Sequence, residues 1–294
     1  MRDQITFVKM HGAGNDFVVM EAAGDEHDWP RLAMAMCDRH FGVGADGLLL
    51  ALPSSHAEIR MRVFNSDGSE AEMCGNGIRC LAKYAVEKGL VRPADGRFSI
   101  ETMASVVSVE VSEEGGRVDR VRVGMGVPRL TPEEIPVLVH RETPLVNLPL
   151  EVWRTTAADV TSRDILPVTC VSMGNPHAVL FVTLPVKEFP LEGVGPRVAE
   201  HPQFPRGVNF EVARAIDRSH IEARVWERGA GLTLACGSGA CAVMVAARLQ
   251  GLVEDVVDIT LPGGTLSLEW DGKGSVYLTG PAVTVFSGKW LLEV

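Results

Sequence analysis

Two stretches decide how this chain is read: "MRVFNSDGSEAEMCGNGIRCLAKYAVEKGLV" (61–91) and "ARVWERGAGLTLACGSGACAVMVAARLQGLV" (223–253). They align without a gap at a constant offset of 162 residues. Arg62/Arg224, Val63/Val225, Cys74/Cys236, Gly75/Gly237, Gly77/Gly239 and the closing Gly-Leu-Val coincide. Weaker echoes flank this core in the same order, "GNDFVV" (14–19) with "GNPHAV" (174–179) and "FGVGADG" (41–47) with "RGVNFEV" (206–212). An internal repeat of this length implies two related domains. We expect one half over 1–128 and the other over 129–281, facing each other about a pseudo-two-fold axis.

Periodicity gives the elements. Alternation of apolar and polar residues marks strands at 104–112 and 117–124, joined by the turn-rich "EEGG", and a second hairpin over 265–280 with "DGKG" at its tip. Helices are expected at about 30–40, 75–88 and 237–249, the last two directly after the cysteine motifs. Strands outnumber helices, so each half reads as sheet wrapped around one main helix, an α+β architecture. The Pro- and Thr-rich segment 136–167 reads as an excursion between the halves.

Composition excludes several classes of function. A net charge of -10 over 294 residues offers no basic face for nucleic acid or an anionic membrane. The N-terminal stretch carries Asp3, Gln4 and Lys9 where a secretory signal needs an apolar core. No run reaches the length of a membrane span. Six cysteines in so long a chain do not read as a disulfide framework, and the expected location is cytoplasmic. "GVGADG" (42–47) fits a dinucleotide fingerprint in letters, yet it follows a helix and leads into the apolar run "LLLAL", the reverse of the order that site requires.

A cysteine at a helix start lies in the field of the unpaired N–H groups and the macrodipole, which favours thiolate. The glycines that follow let a ligand approach the backbone, as at other anion-binding helix starts. Each motif therefore offers a basic sulfur beside a small anion hole, and an amino-acid carboxylate fits such a hole. Cys80 lies about 240° around the helix from Cys74, and Cys241 about 140° from Cys236, so neither pair makes a metal clip or a redox pair. Cys37, Cys80, Cys170 and Cys241 read as small buried residues. Two equivalent thiols suit a racemase or epimerase, which needs a base on one face of a stereocentre and an acid on the other.

At these residues the chain resembles the diaminopimelate epimerase family, in the cofactor-independent group that includes proline racemase. The blocks "HGAGNDFV", "NSDGSEAEMCGNGIRC", "SMGNPHAV", "GVNFE", "WERGAG" and "ACGSGA" carry the resemblance in order along nearly the whole chain. It implies two similar halves, each a β-barrel around a central α-helix, with the active site between them and the last strand, about 282–294, returning to the first half. It further implies interconversion of LL- and meso-diaminopimelate, in lysine and peptidoglycan precursor biosynthesis, without pyridoxal phosphate or metal. Carried over by motif, Cys74 and Cys236 are the acid/base thiols. Gly75, Asn76, Gly237 and Ser238 offer N–H groups to the reacting carboxylate, and Asn15, Asn65, Asn175, Asn209, Glu227 and Arg228 contact substrate. His177 and Glu227 match positions that tune the thiols. Some family members carry a glutamine contact where this chain has Gly47.

The residue types fit that substrate. A planar guanidinium at Arg228 suits a remote carboxylate, and asparagine carbonyls with Glu227 suit an ammonium. The partner expected is a small amino acid, and the sequence leaves room for a homodimer. A proline or hydroxyproline racemase is the nearest alternative. A thiol-disulfide switch or a non-catalytic amino-acid binder is the alternative from another class.

Overall fold

The computed structural model describes residues 4–24, 26–141, 143–155 and 161–292. The chain forms two compact units, Met1–Gly124 with Thr279–Val294, and Met125–Leu278. The divisions fall a few residues before the joins expected from sequence.

The first unit runs β1 (Gln4–Gly12), β2 (Asn15–Glu21), α1 (Trp29–Cys37), β3 (Gly47–Leu52), β4 (Ile59–Asn65), β5 (Glu70–Ala71), α2 (Gly75–Glu87), β6 (Arg97–Glu101), β7 (Val106–Glu114) and β8 (Arg117–Gly124). The chain continues through β9 (Leu148–Thr155), β10 (Thr161–Ser172), β11 (Pro176–Phe181), α3 (Leu191–Ala199), β12 (Asn209–Ala215), β13 (His220–Glu227), β14 (Gly231–Thr233) and α4 (Gly237–Leu249). It closes with β15 (Val256–Leu261), β16 (Gly264–Glu269), β17 (Tyr277–Pro281) and β18 (Val283–Leu291).

The two units repeat one pairing scheme. In the first, β1 pairs antiparallel with β2, β2 parallel with β3, β3 antiparallel with β4, and β4 parallel with β6. In the second, β10, β11, β12, β13 and β15 take the same places with the same directions. Helix α2 packs against β1, β2, β3, β4, β7 and β8, and α4 against β10, β11, β12, β13, β15 and β16. A helix so enclosed must be apolar all round. Helix α4 meets that demand directly, with Ala240 to Ala247 buried, whereas α2 also buries Arg79 and most of Lys83. Lys83 satisfies its ammonium on the Val118 carbonyl and on Glu87.

Several expectations need correction. The segment 136–167 is not an excursion between the halves: it lies in the second unit, where β9 pairs with β10 from Leu148 to Thr155. It thereby does for β10 what β18 does for β1. Helix α3 was not among the expected helices; Gly193, Gly195 and Pro196 break its periodic pattern. The echo of "FGVGADG" in "RGVNFEV" is out of register: β3 opens at Gly47 and β12 at Asn209, so these two residues correspond. The strands expected over 265–280 are present as β16 and β17 on either side of "DGKG" (271–274), and β15 makes a further tight hairpin with β16 across Pro262 and Gly263.

Candidate active site

Cys74 and Cys236 are the N-cap residues of α2 and α4. Each has extended backbone dihedrals, and each sulfur accepts from the N–H three residues on, Gly77 and Gly239, at 3.4 Å. A cysteine thus does what serine or aspartate does at an ordinary helix start. The next N–H groups, of Ile78 and Ala240, already bond the carbonyls of Cys74 and Cys236. In α4 the N–H groups of Gly237 and Ser238 have no hydrogen-bond partner among the described residues.

In the first unit, Asn15 stands at the start of β2. Its Nδ2 donates to Asp46 at 2.7 Å, which leaves Oδ1 3.8 Å from the Cys74 sulfur and 3.2 Å from Asn76 Nδ2. Fully buried Arg79 lies beneath, donating to Asn76 Oδ1 at 2.8 Å and to the carbonyls of Gly75 and Pro281. Asn65 is exposed at the end of β4 and donates to Ser69 at 2.9 Å, so it sits on the turn before the motif. At Gly47 a Cβ would stand 2.7 Å from the Phe64 carbonyl oxygen. That close approach, rather than chance, excludes any side chain from this position.

A charged lattice backs Asn15. Arg39 donates to Asp16 and Asp46 at 2.9 and 2.7 Å, and Lys9 pairs with Asp16 at 2.6 Å. Burial alone would raise the Asp16 pKa. The hydrogen bonds from Arg39 and Lys9 overcome it and hold the carboxyl at about 2.

In the second unit, His177 on β11 bonds Glu211 on β12 through Nδ1 at 2.7 Å and Asn175 Oδ1 through Nε2 at 2.9 Å. Both His177 and Glu211 are fully buried. Ser238 Oγ lies 3.5 Å from the Cys236 sulfur. Glu227 accepts from Thr233 Oγ1 at 2.7 Å. Asn209 Oδ1 accepts from the Arg228 N–H at 2.9 Å, and the Arg228 guanidinium bonds the Arg206 carbonyl at 2.8 Å.

The expectation of a lowered thiol pKa fails for Cys236. Burial pushes the thiol up, and the Glu227 charge adds to that, while the Ser238 hydroxyl and the Gly239 N–H oppose it without prevailing. The helix dipole is a partial charge, and it loses to desolvation next to a carboxylate. The Glu227 charge acts on this thiol upward. His177 reaches Glu211 rather than the sulfur. Cys37, Cys80 and Cys170 are pushed to about 12 by burial, the behaviour of inert core thiols. All six cysteines are free thiols. Among the described residues no cluster of His, Cys, Asp and Glu could hold a metal ion.

Sequence reading missed Glu211, Asp46 and Arg79. For Glu211 a signal exists: in "NFEV" it falls on the same strand face as Asn209, a face turned to the helix, where an acidic residue is costly without purpose.

The fold defines the class. It is shared with solved structures of a phenazine biosynthesis protein of the PhzF family from Bacillus anthracis (TM-score 0.69, 18% identity, 99% of this chain and 100% of that one) and a hydroxyproline epimerase from Agrobacterium vitis (TM-score 0.67, 16% identity, 100% and 95%). Sequence narrows it. The diaminopimelate epimerase family model matches residues 7–131 and 169–285. Diaminopimelate epimerases of Acetivibrio thermocellus and Moorella thermoacetica are 47% and 48% identical to the chain. The match covers 96% and 98% of this chain and 97% and 99% of theirs. The chain belongs to the diaminopimelate epimerase family.

Proposed function

We propose that this protein is an isomerase that interconverts LL- and meso-diaminopimelate, with Cys74 and Cys236 as the acid/base pair. The observation that carries the reading is the duplicated cap: two units of one topology, each placing a thiol and two glycine-flanked N–H groups at the start of its central helix. Inverting a stereocentre needs that duplication, and a single-base reaction does not.

One sulfur, as thiolate, takes the α-proton, and the C–H electron pair passes into the adjacent carboxylate. The other, as thiol, returns a proton to the opposite face, so the two protonation states exchange in each turnover. Negative charge grows on the carboxylate oxygens as the α-carbon flattens. N–H groups at a helix start, already oriented, stabilise that charge more than the ground state. Cys236 is held as thiol by burial and by Glu227. A substrate ammonium paired with Glu227 cancels that carboxylate's charge and brings the thiol back toward ionisation, so binding itself prepares the acid/base group. Arg228 pairs the remote carboxylate.

The test incubates reduced protein with LL-diaminopimelate in deuterium oxide without added cofactor, followed by proton NMR and chiral separation. Meso product with one deuterium at the inverted α-carbon is expected. If neither exchange nor inversion occurs with all thiols free, the reading fails, and proline becomes the next substrate to try.

A further inference from the structure

The sister units do not treat their central helices alike. In the first unit the strand pair beside the cap carries Phe17 opposite Gly47 and Val19 opposite Leu49. In the second, the same places hold His177 opposite Asn209 and Val179 opposite Glu211. A Cβ on Gly77 would meet Leu49 at 3.1 Å, and one on Gly239 would meet Glu211 Oε1 at 2.9 Å and the Cys236 sulfur at 3.3 Å. Where one half packs Phe and Leu, the other buries an imidazole and a carboxyl against the thiol-bearing cap. The apolar solution is thus available to this fold, so packing does not demand the polar pair.

The hydrogen-bond inventory restricts the proton. Asn175 Oδ1 can only accept, so His177 Nε2 carries hydrogen. Glu211 is fully buried, and its Oε2 has no partner among the described residues. An ionised carboxylate with one oxygen orphaned in the interior carries a heavy desolvation cost, which a carboxylic acid largely escapes. A neutral acid at Glu211 donates through Oε1 to His177 Nδ1, and the ring is then the neutral Nε2–H tautomer.

The geometry points to Glu211 as a positioning residue: as a neutral acid it fixes His177 in the Nε2–H tautomer, which anchors Asn175 Oδ1 and leaves the Asn175 amide nitrogen to donate to the substrate carboxylate. In the first unit Asn15 is set the other way, its Nδ2 held by Asp46 and its Oδ1 presented toward Cys74. The two asparagines therefore offer opposite ends, a donor in one half and an acceptor in the other. This assignment rests on the proposed substrate reading for its kinetic consequences, though not for the tautomer.

Two measurements test it. In ligand-free protein at pH 7, two-bond ¹H–¹⁵N correlation of the His177 ring, assigned with His177→Asn, should show a neutral ring protonated on Nε2. An imidazolium or an Nδ1–H ring overturns the assignment. In steady state, Glu211→Gln keeps a donor toward Nδ1 and should hold kcat/KM within about threefold of wild type. The double variant His177→Phe/Glu211→Leu, which rebuilds the pair of the sister unit, should fold with an undiminished melting temperature, since apolar replacement of a buried polar pair is often neutral or stabilising. Its kcat/KM should fall about 10–100-fold, mostly through KM, the worth of a hydrogen bond to a charged group. Wild-type kinetics in the folded double variant, or a loss in Glu211→Gln as large as in the double variant, sinks the proposal. If wild type itself fails to turn over diaminopimelate, the proposed function falls while the tautomer measurement still decides the ring.

Discussion

At the scale of single residues the two thiols differ in setting although they share a cap. Cys236 is buried beside Glu227, whereas Cys74 is half-buried. In ligand-free protein near neutral pH, Cys236 should therefore alkylate more slowly than core-independent thiols of the same exposure. Glu227→Gln removes the neighbouring charge, lowers the thiol pKa and should speed its reaction with iodoacetamide, read by mass spectrometry of the 236 peptide. The same variant should epimerise poorly, because the ammonium loses its charged partner and keeps only a neutral amide oxygen. A Cys236 that reacts no faster in Glu227→Gln would show that burial alone sets its pKa. Cys74→Ala and Cys236→Ala should each lower epimerisation by about 10²–10⁴-fold, the range of a positioned acid or base. The thiols and the glycines after them were legible in the sequence because a repeated motif exposes them, and the asparagines were singled out only by the family resemblance. Glu211 was not, since its meaning comes from His177, which lies 34 residues away in sequence and on a neighbouring strand.

At the scale of elements, the caps explain why glycine stands three residues after each cysteine. A Cβ at 239 would run into a carboxyl oxygen already tied to His177, whereas the tightest contact of one at 77 would be a terminal methyl of Leu49, at 3.1 Å. Gly239→Ala is thus expected to destabilise by about 1–3 kcal/mol, as overpacking does, and Gly77→Ala by clearly less. Urea unfolding of the two variants checks the order. The lattice of Lys9, Asp16, Arg39 and Asp46 ties β1 and β2 to the segment between α1 and β3. Asp16 is depressed to about 2 when folded against 3.8 otherwise, so it stabilises the fold above pH 4. That stabilisation is lost as pH falls through about 4 to about 2. Asp16→Asn should flatten the stability profile in this window, read as melting temperature against pH. Helices α1, α2 and α4 were legible from periodicity. Helix α3 was not, because local glycine and proline outweigh periodicity, although it stands 162 residues after α1, the offset of the two cysteine motifs.

At the scale of the molecule, the repeat accounts for the one feature that periodicity could not: why the chain's last strand belongs to its first unit. Each unit needs a strand outside its first one, and the two find it in different places. Strand β9 precedes β10 directly and pairs with it, while β1 pairs with β18, which follows the whole second unit in sequence. Gly288 of β18 is where this closure is tightest, for a Cβ there would stand 2.7 Å from the Phe7 ring, a core residue of the first unit. Gly288→Val should push Phe7 off its place and loosen the β1–β18 pairing, which holds Gln4 to His11. Hydrogen exchange gives the reading. Amides of β1 and β18 should lose protection by about the 1–3 kcal/mol of an overpacked core, while those of α4, in a unit with its own strand β9, keep theirs. Equal loss in both would mean that the two units open as one cooperative body, and that the borrowed strand stabilises the whole chain rather than the unit it completes.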